Sequence, residues 1–164
     1  MSAPQLAAPV PTSAETIFDL FQQLTWMGRH VFARRIEKVG LTVAQYRVLS
    51  SVNKQGPATT MGELSDGLLL PKSSLTSIAN RLVALGLVER APVANDRRAV
   101  GVTITPSGLE IVTRIEEERM TDLTSILEGM PEENIEHFAY ALSRLVLGME
   151  QLLAQPILGT GARS

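Results

Sequence analysis

Cysteine is absent from this 164-residue chain, which excludes disulfides, thiolate metal sites and any thiol-based peroxide switch. Imidazole is scarce: His30 and His137 lie in opposite terminal segments, and neither sits in a motif of the HExxH kind. Two histidines without a thiol make a poor transition-metal set, so no metal and no cofactor is expected. Neither a Walker loop nor a nucleophile elbow occurs. Glu116-Glu117-Glu118 supplies carboxylates, but consecutive helical positions point in different directions, so the run reads as a solvated helix face. Catalysis is not expected. No apolar run approaches membrane length. Residues 1–13, with three prolines, lack the basic start and apolar core of a signal peptide and read as a disordered arm. A cytoplasmic protein follows as the expectation, with 45% hydrophobic residues sufficient for one sizeable core but a length short of two ordinary domains.

What is present is a succession of capped helical patterns between Leu41 and Thr105. Thr42 and Gln45 form a capping box that opens a helix at about Val43, with Val48, Leu49 and Val52 on one face and Gly56-Pro57 as its stop. Thr60 and Glu63 repeat the box for a short helix whose Leu64, Leu68 and Leu69 are expected to face inward, closed by Pro71. From Lys72 to Leu85 the apolar stripe is Leu75, Ile78, Ala79, Leu82, Val83 and Leu85, while Ser73, Ser74, Thr76, Ser77 and Asn80 occupy most of the opposite side. Short hydroxyl and amide side chains let a helix approach base edges and phosphates closely. Gly86 supplies the stop.

Leu87–Arg90 and Val100–Thr105 each alternate as half-buried strands do, and the nine residues Ala91–Ala99 between them carry a turn composition. Asp96-Arg97-Arg98 is expected near the tip of this hairpin, where an arginine can enter a minor groove. Asp96 has a structural use there, pairing with Arg90 or with an arginine of the tip. The alternative for the same three residues is an ordinary solvated turn. A helix-turn-helix ending in a charged hairpin is a winged helix: mainly α with a small β wing.

Seven pieces stand in order from Leu41 to Gly108: LTVAQYRVL, the GPAT turn at Gly56 to Thr59, GELSDGL, SSLTSIANRL, GLVER, NDRR and ITPSG. Together they resemble the MarR family of bacterial transcription regulators, and the long flanking helical segments match in kind. The resemblance implies a recognition helix at Lys72–Leu85 in the major groove, Arg98 with Arg97 beside it reaching from the wing, and Asp96 as structural partner. The expected contacts with a double-stranded DNA operator are therefore Lys72, Ser73, Ser74, Thr76, Ser77, Asn80, Arg81, Arg97 and Arg98, with Asp96 and Arg90 shaping the wing. One departure is Ser77, which stands where many relatives carry a basic residue.

Charge is segregated although the whole chain carries only −2. Leu41–Thr105 holds seven basic and four acidic residues, +3, whereas residues from Pro106 onward hold four arginines and ten acidic residues, −6. Local field rather than net charge steers a protein to DNA, so the acidic part is expected to face away from the duplex. Its apolar residues Ile135, Phe138, Leu142, Leu145, Met149 and Leu152, like Ile17, Leu20, Leu24, Met27 and Val31 near the N-terminus, recur at steps of three and four and form seams. Between them Thr105 caps a long helix with Pro106 at its first position and a stripe of Val112, Ile115, Leu123, Ile126 and Leu127, and Met130-Pro131-Glu132-Glu133 opens the last helix.

The expected organisation is an arm at 1–13, a dimerisation helix at 14–40, the winged helix-turn-helix at 41–105, dimerisation helices at 106–154 and a tail at 155–164, one compact domain overall. A homodimer hides the seams and sets two recognition helices about 34 Å apart on a palindrome. Resemblance further implies release of DNA by a small aromatic or anionic effector between the dimerisation helices and the winged helix. Candidate lining is Trp26, Met27, His30 and Tyr46, with Arg29 or Arg47 meeting a carboxylate. A ligand-responsive repressor is the function expected. The alternative is a winged helix used for protein contact, which has no need of a basic wing.

Overall fold

The computed structural model describes residues 13–56, 58–93 and 96–155, with the backbone alone at 96–99. The arm up to residue 12, Pro57 and the tail from residue 156 lie outside the described residues. The chain divides into two compact units between Arg119 and Met120.

In the larger unit every helix but α4 begins where a neighbouring side chain satisfies orphan amides of its first turn. Helix α1, Ala14–Lys38, starts at Ser13, whose hydroxyl accepts from the Thr16 amide at 3.2 Å. Helix α2, Val43–Gln55, and helix α3, Met61–Leu68, open with the two expected capping boxes, at Thr42/Gln45 and Thr60/Glu63. The backbone amide and hydroxyl of Thr60 hold the Glu63 carboxyl below its ordinary pKa. Helix α4 runs Lys72–Ala84, and Leu85 is its C-cap. Two strands follow, β1 at Val88–Val93 and β2 at Asp96–Ile104, then α5 at Pro106–Leu127. Thr105 caps α5 as expected, its hydroxyl accepting from the Gly108 amide at 3.2 Å and donating to the Gly86 carbonyl at 2.7 Å.

The core is a single cluster: Ile36 from α1, Leu41, Tyr46, Val48, Leu49 and Val52 around α2, Leu64 from α3, Leu75, Ala79 and Leu82 from α4, Leu87, Val88 and Val102 from the wing, and Val112 and Ile115 from α5. The first half of α5 is thus part of the same core as the helix-turn-helix. Two apolar residues expected inside face water instead. Leu69 turns into left-handed geometry at the end of α3 and is 90% exposed, and Leu70 takes its place against the core. Leu85 is 40% exposed because α4 has already ended.

The wing is longer in strand and shorter in loop than expected. Strands β1 and β2 pair antiparallel from Val88↔Ile104 to Pro92↔Val100, and after a register shift Val93 pairs with Asp96. Asp96-Arg97-Arg98 therefore belongs to the backbone of β2, with residues 97–99 in the bulge, rather than to an open nine-residue tip. Thr59, before α3, adds a single-residue bridge to β2 in the manner of a very short strand: its amide and carbonyl exchange hydrogen bonds of 2.9 Å with Val102. A Cβ at Gly101 would stand 2.5 Å from the Ala58 carbonyl oxygen, which is why only glycine fits where this strand crosses.

The smaller unit contains the end of α5 and helix α6, Glu132–Ala154, which starts after Pro131 with Glu132 and Glu133 in its first turn. No residue of α6 is buried within the chain. Along it Phe138, Leu142, Leu145, Met149 and Leu152 are exposed, as are Ile17, Leu20, Leu24, Met27 and Val31 along α1. Among the described residues no helix is long and apolar enough to cross a membrane.

Candidate nucleic-acid interface

Helix α4 presents two unlike sides. Leu75, Ala79 and Leu82 are buried, Ile78 and Val83 are half-buried, and Lys72, Ser73, Ser74, Thr76, Ser77, Asn80 and Arg81 are all exposed. All seven residues proposed on this helix from sequence therefore lie on its outward surface. The Thr76 hydroxyl donates back to the Lys72 carbonyl at 2.9 Å, leaving its oxygen as an acceptor. The helix starts after Pro71 with no side-chain cap, in contrast to the boxes of α2 and α3. Uncapped first-turn amides and the positive end of the helix dipole together favour an anion such as a phosphate.

The wing is tied directly to this helix. Arg90 pairs across the ladder with Val102 and so shares its inner face with Val88 and Val102. From there its guanidinium donates to the Asn80 carboxamide oxygen at 2.6 Å. The sequence pattern assigns these two residues to different tasks, Asn80 to DNA and Arg90 to the wing. The ladder register, which is not readable from charge alone, brings them together. The side chains of Asp96, Arg97 and Arg98 lie outside the described residues, so the Asp96 pairing and the reach of the two arginines do as well.

The residues proposed to line an effector site are not gathered into one place. Trp26, Met27 and Arg29 share an open hollow on α1 with Gln22, Gln23 and Thr25. His30 packs on Trp26, ring centroids 4.1 Å apart, and its Nδ1 lies 2.8 Å from the Trp26 carbonyl oxygen. Tyr46 is instead buried in the core, edge-on to Phe32 with centroids 5.3 Å apart. Among the described residues its hydroxyl has no partner within strict hydrogen-bond geometry, Ser50 being the polar side chain that approaches it. Burial pushes its pKa up and Glu116 adds to the rise, while Arg119 and Ser50 partly offset it. Arg47 donates to the Leu68 carbonyl at 3.4 Å, at the end of α3, where a cation suits the helix dipole. Glu118 pairs with Arg35 of α1 at 3.4 Å, and Glu116, Glu117 and Glu118 are exposed, as a solvated face requires.

The family model of the MarR family matches residues 39–99, the stretch from the end of α1 into the wing. The transcriptional regulator PecS of Dickeya dadantii is 28% identical over 110 residues, 66% of each chain, so this chain spans just under two thirds of PecS. The multiple antibiotic resistance protein MarR of Salmonella typhimurium is 27% identical over 139 residues, which cover 78% of this chain and 96% of that one. Among solved structures, a MarR family protein from Bacillus stearothermophilus superposes with a TM-score of 0.71 at 25% identity, covering 85% of this chain and 99% of that one. A single-site mutant of MepR from S. aureus, bound to an oligodeoxyribonucleotide, shares the fold, with a TM-score of 0.64 at 16% identity over 81% and 97% of the two chains. With the matched stretch lying across the helix-turn-helix and its wing, the chain is similar there to the MarR family of winged helix-turn-helix transcription regulators, and its fold is that of MarR family structures.

Proposed function

We propose that the chain is a homodimeric repressor that binds a palindromic operator, with α4 in the major groove and the wing against the flanking minor groove. The observation that carries this reading is the outer side of α4. It is polar and exposed along its length, while the inner side is anchored by Leu75, Ala79 and Leu82. Ser73, Ser74, Thr76, Ser77 and Asn80 are the residues proposed to meet base edges and phosphates, Lys72 and Arg81 to neutralise phosphates, and Arg97 and Arg98 to reach from β2. Asp96 and Arg90 are assigned to the shape of the wing. The +3 charge of Leu41–Thr105 supports the same orientation. A DNA-bound neighbour with this fold supports it too.

The exposed apolar seams of α1 and α6 are proposed to pair with those of a second copy, since burying them removes large apolar side chains from water. A dimer covering a promoter blocks polymerase without a dedicated contact surface, which makes repression the simplest output. In this reading the two histidines and the Glu116–Glu118 run have no catalytic part, and the protein works in the cytoplasm where its DNA is. The effector, a small aromatic or anionic molecule, is proposed to act through Trp26, Met27, Arg29 and His30 on α1. Tyr46 and Arg47 contribute at most through the core and the α3 terminus that they hold.

The test is binding to random duplex at rising salt. A dimer neutralising about six phosphates gives a log–log slope of about −5, and Arg98→Ala lowers its magnitude by about two per dimer. A slope near zero for the unmodified protein would instead identify a winged helix used for protein contact.

A further inference from the structure

We infer that Leu69 is a DNA-contacting residue that buries its side chain against an apolar edge of the duplex beside the start of α4. At 90% exposure it stands furthest out of the exposed large apolar side chains among the described residues. It also adopts left-handed backbone geometry, φ 54° and ψ 40°, which residues other than glycine, asparagine and aspartate rarely do. The other non-glycine residue at positive φ among the described residues, Ala58, leads into the short strand that pairs with Val102. Leu69 gains nothing comparable, because its side chain packs against none of the core that surrounds the turn. The left-handed turn ends α3, a task that glycine or asparagine would perform at lower cost, and nothing inside the folded chain accounts for an apolar side chain held in water there.

The turn that carries it is pinned on both sides. The Leu68 carbonyl accepts from Arg47 at 3.4 Å, and the Leu70 carbonyl accepts from the Ser65 hydroxyl at 2.7 Å. Leu68 and Leu70 themselves are half-buried against the core. Leu69 is therefore projected outward from a fixed point, two residues before Pro71 and the uncapped first turn of α4. In a helix-turn-helix, that end of the second helix carries the residues that contact base edges. This inference rests on the DNA-binding reading above. A duplex offers an apolar side chain two partners there, the C5-methyl group of thymine in the major groove and the C–H edge of a deoxyribose.

Three variants separate contact from backbone relief. Leu69→Asn suits the left-handed geometry, so its thermal midpoint should rise, while its affinity for a duplex selected by the unmodified protein should fall about tenfold. Its salt slope should stay unchanged, because no charge is removed. Leu69→Ala keeps the backbone cost and loses the side chain beyond Cβ, so it should lose affinity without gaining stability. Leu69→Met, of similar volume and apolarity, should retain affinity. On the same duplex with uracil replacing thymine, loss of affinity by the unmodified protein but not by Leu69→Asn assigns the contact to the methyl group. Retention of the full difference between the two proteins assigns it to deoxyribose. Asparagine and alanine variants that bind as tightly as the unmodified protein would overturn the inference. Failure of the unmodified protein to bind any duplex would overturn the reading beneath it instead.

Discussion

Replacing Gly108 by alanine sets two magnitudes of opposite sign against each other. Gly108 lies in the first turn of α5, and helix propensity alone predicts that alanine stabilises it by about 1 kcal/mol. The packing predicts the reverse. A Cβ there would be driven into the carbonyl oxygen of Leu87, and would stand 2.9 Å from Ile104 Cγ1 and 3.0 Å from the Leu87 carbonyl carbon. That carbonyl already accepts from the Thr105 amide at 3.1 Å, so relief by moving the chain strains the bond that fixes the start of α5 on the wing. Overpacking of this kind costs about 3 kcal/mol when the obstacle is backbone, leaving a net loss of about 2 kcal/mol. For a chain of this length that is about 4–8 °C in the thermal midpoint. Thermal and urea unfolding of Gly108→Ala measure it, with Gly62→Ala as the control. At Gly62 in α3 the added Cβ meets Thr60 Oγ1 at 3.6 Å and Lys72 Nζ at 4.0 Å, ordinary contacts, so that variant should match or exceed the unmodified protein. A Gly108→Ala protein at least as stable as the unmodified one would show that α5 is not seated on Leu87 as described.

Glutamates at Leu142 and Leu145 together place like charges in an apolar seam and should give monomers or aggregates; sedimentation of this variant as a folded dimer would remove α6 from the interface. Arg90→Ala and Asn80→Ala should each weaken duplex binding, and the double variant should lose about 0.5–1 kcal/mol less than their sum, because either change already frees the wing from α4. Strict additivity would mean that the 2.6 Å contact does not aim the wing. An aromatic acid that lowers operator affinity about tenfold, about 1.4 kcal/mol of coupling, must itself bind about tenfold more weakly to the operator complex. Fluorescence of Trp26, the one tryptophan, reads both titrations, and equal affinity in the two series excludes allosteric release by that acid.

The parts of the fold that were legible in the sequence are those fixed by neighbours in the chain. The capping boxes at Thr42/Gln45 and Thr60/Glu63, the Thr105 cap and the inward stripe of α4 each depend on contacts within one turn or one helix period. Helix ends were not legible in the same way. Leu69 and Leu85 fit the apolar pattern, but whether a terminal residue continues a helix or leaves it depends on the backbone, and both leave. Long-range pairing was also hidden. Nothing in the GPAT segment marks Thr59 as a partner for Val102, and only Gly101, with no room for a Cβ beside Ala58, leaves a trace of that strand. For Arg90, charge complementarity offers Asp96 as one partner, and the ladder register adds Asn80, which nothing in the charge pattern marks. Tyr46 is aromatic and near the expected effector region in sequence, yet an aromatic on a core helix is packing when its helix face is buried, as it is here.

The placement of α4 in the major groove is tested most directly by methylation protection at guanine N7, which lies in that groove, on a duplex selected from a random pool. Two bound recognition helices predict two protected blocks centred about 10 base pairs apart on one face of the helix, each weakened by changes at Ser73 and Ser77. Tight binding with guanine N7 fully reactive throughout the site would contradict it.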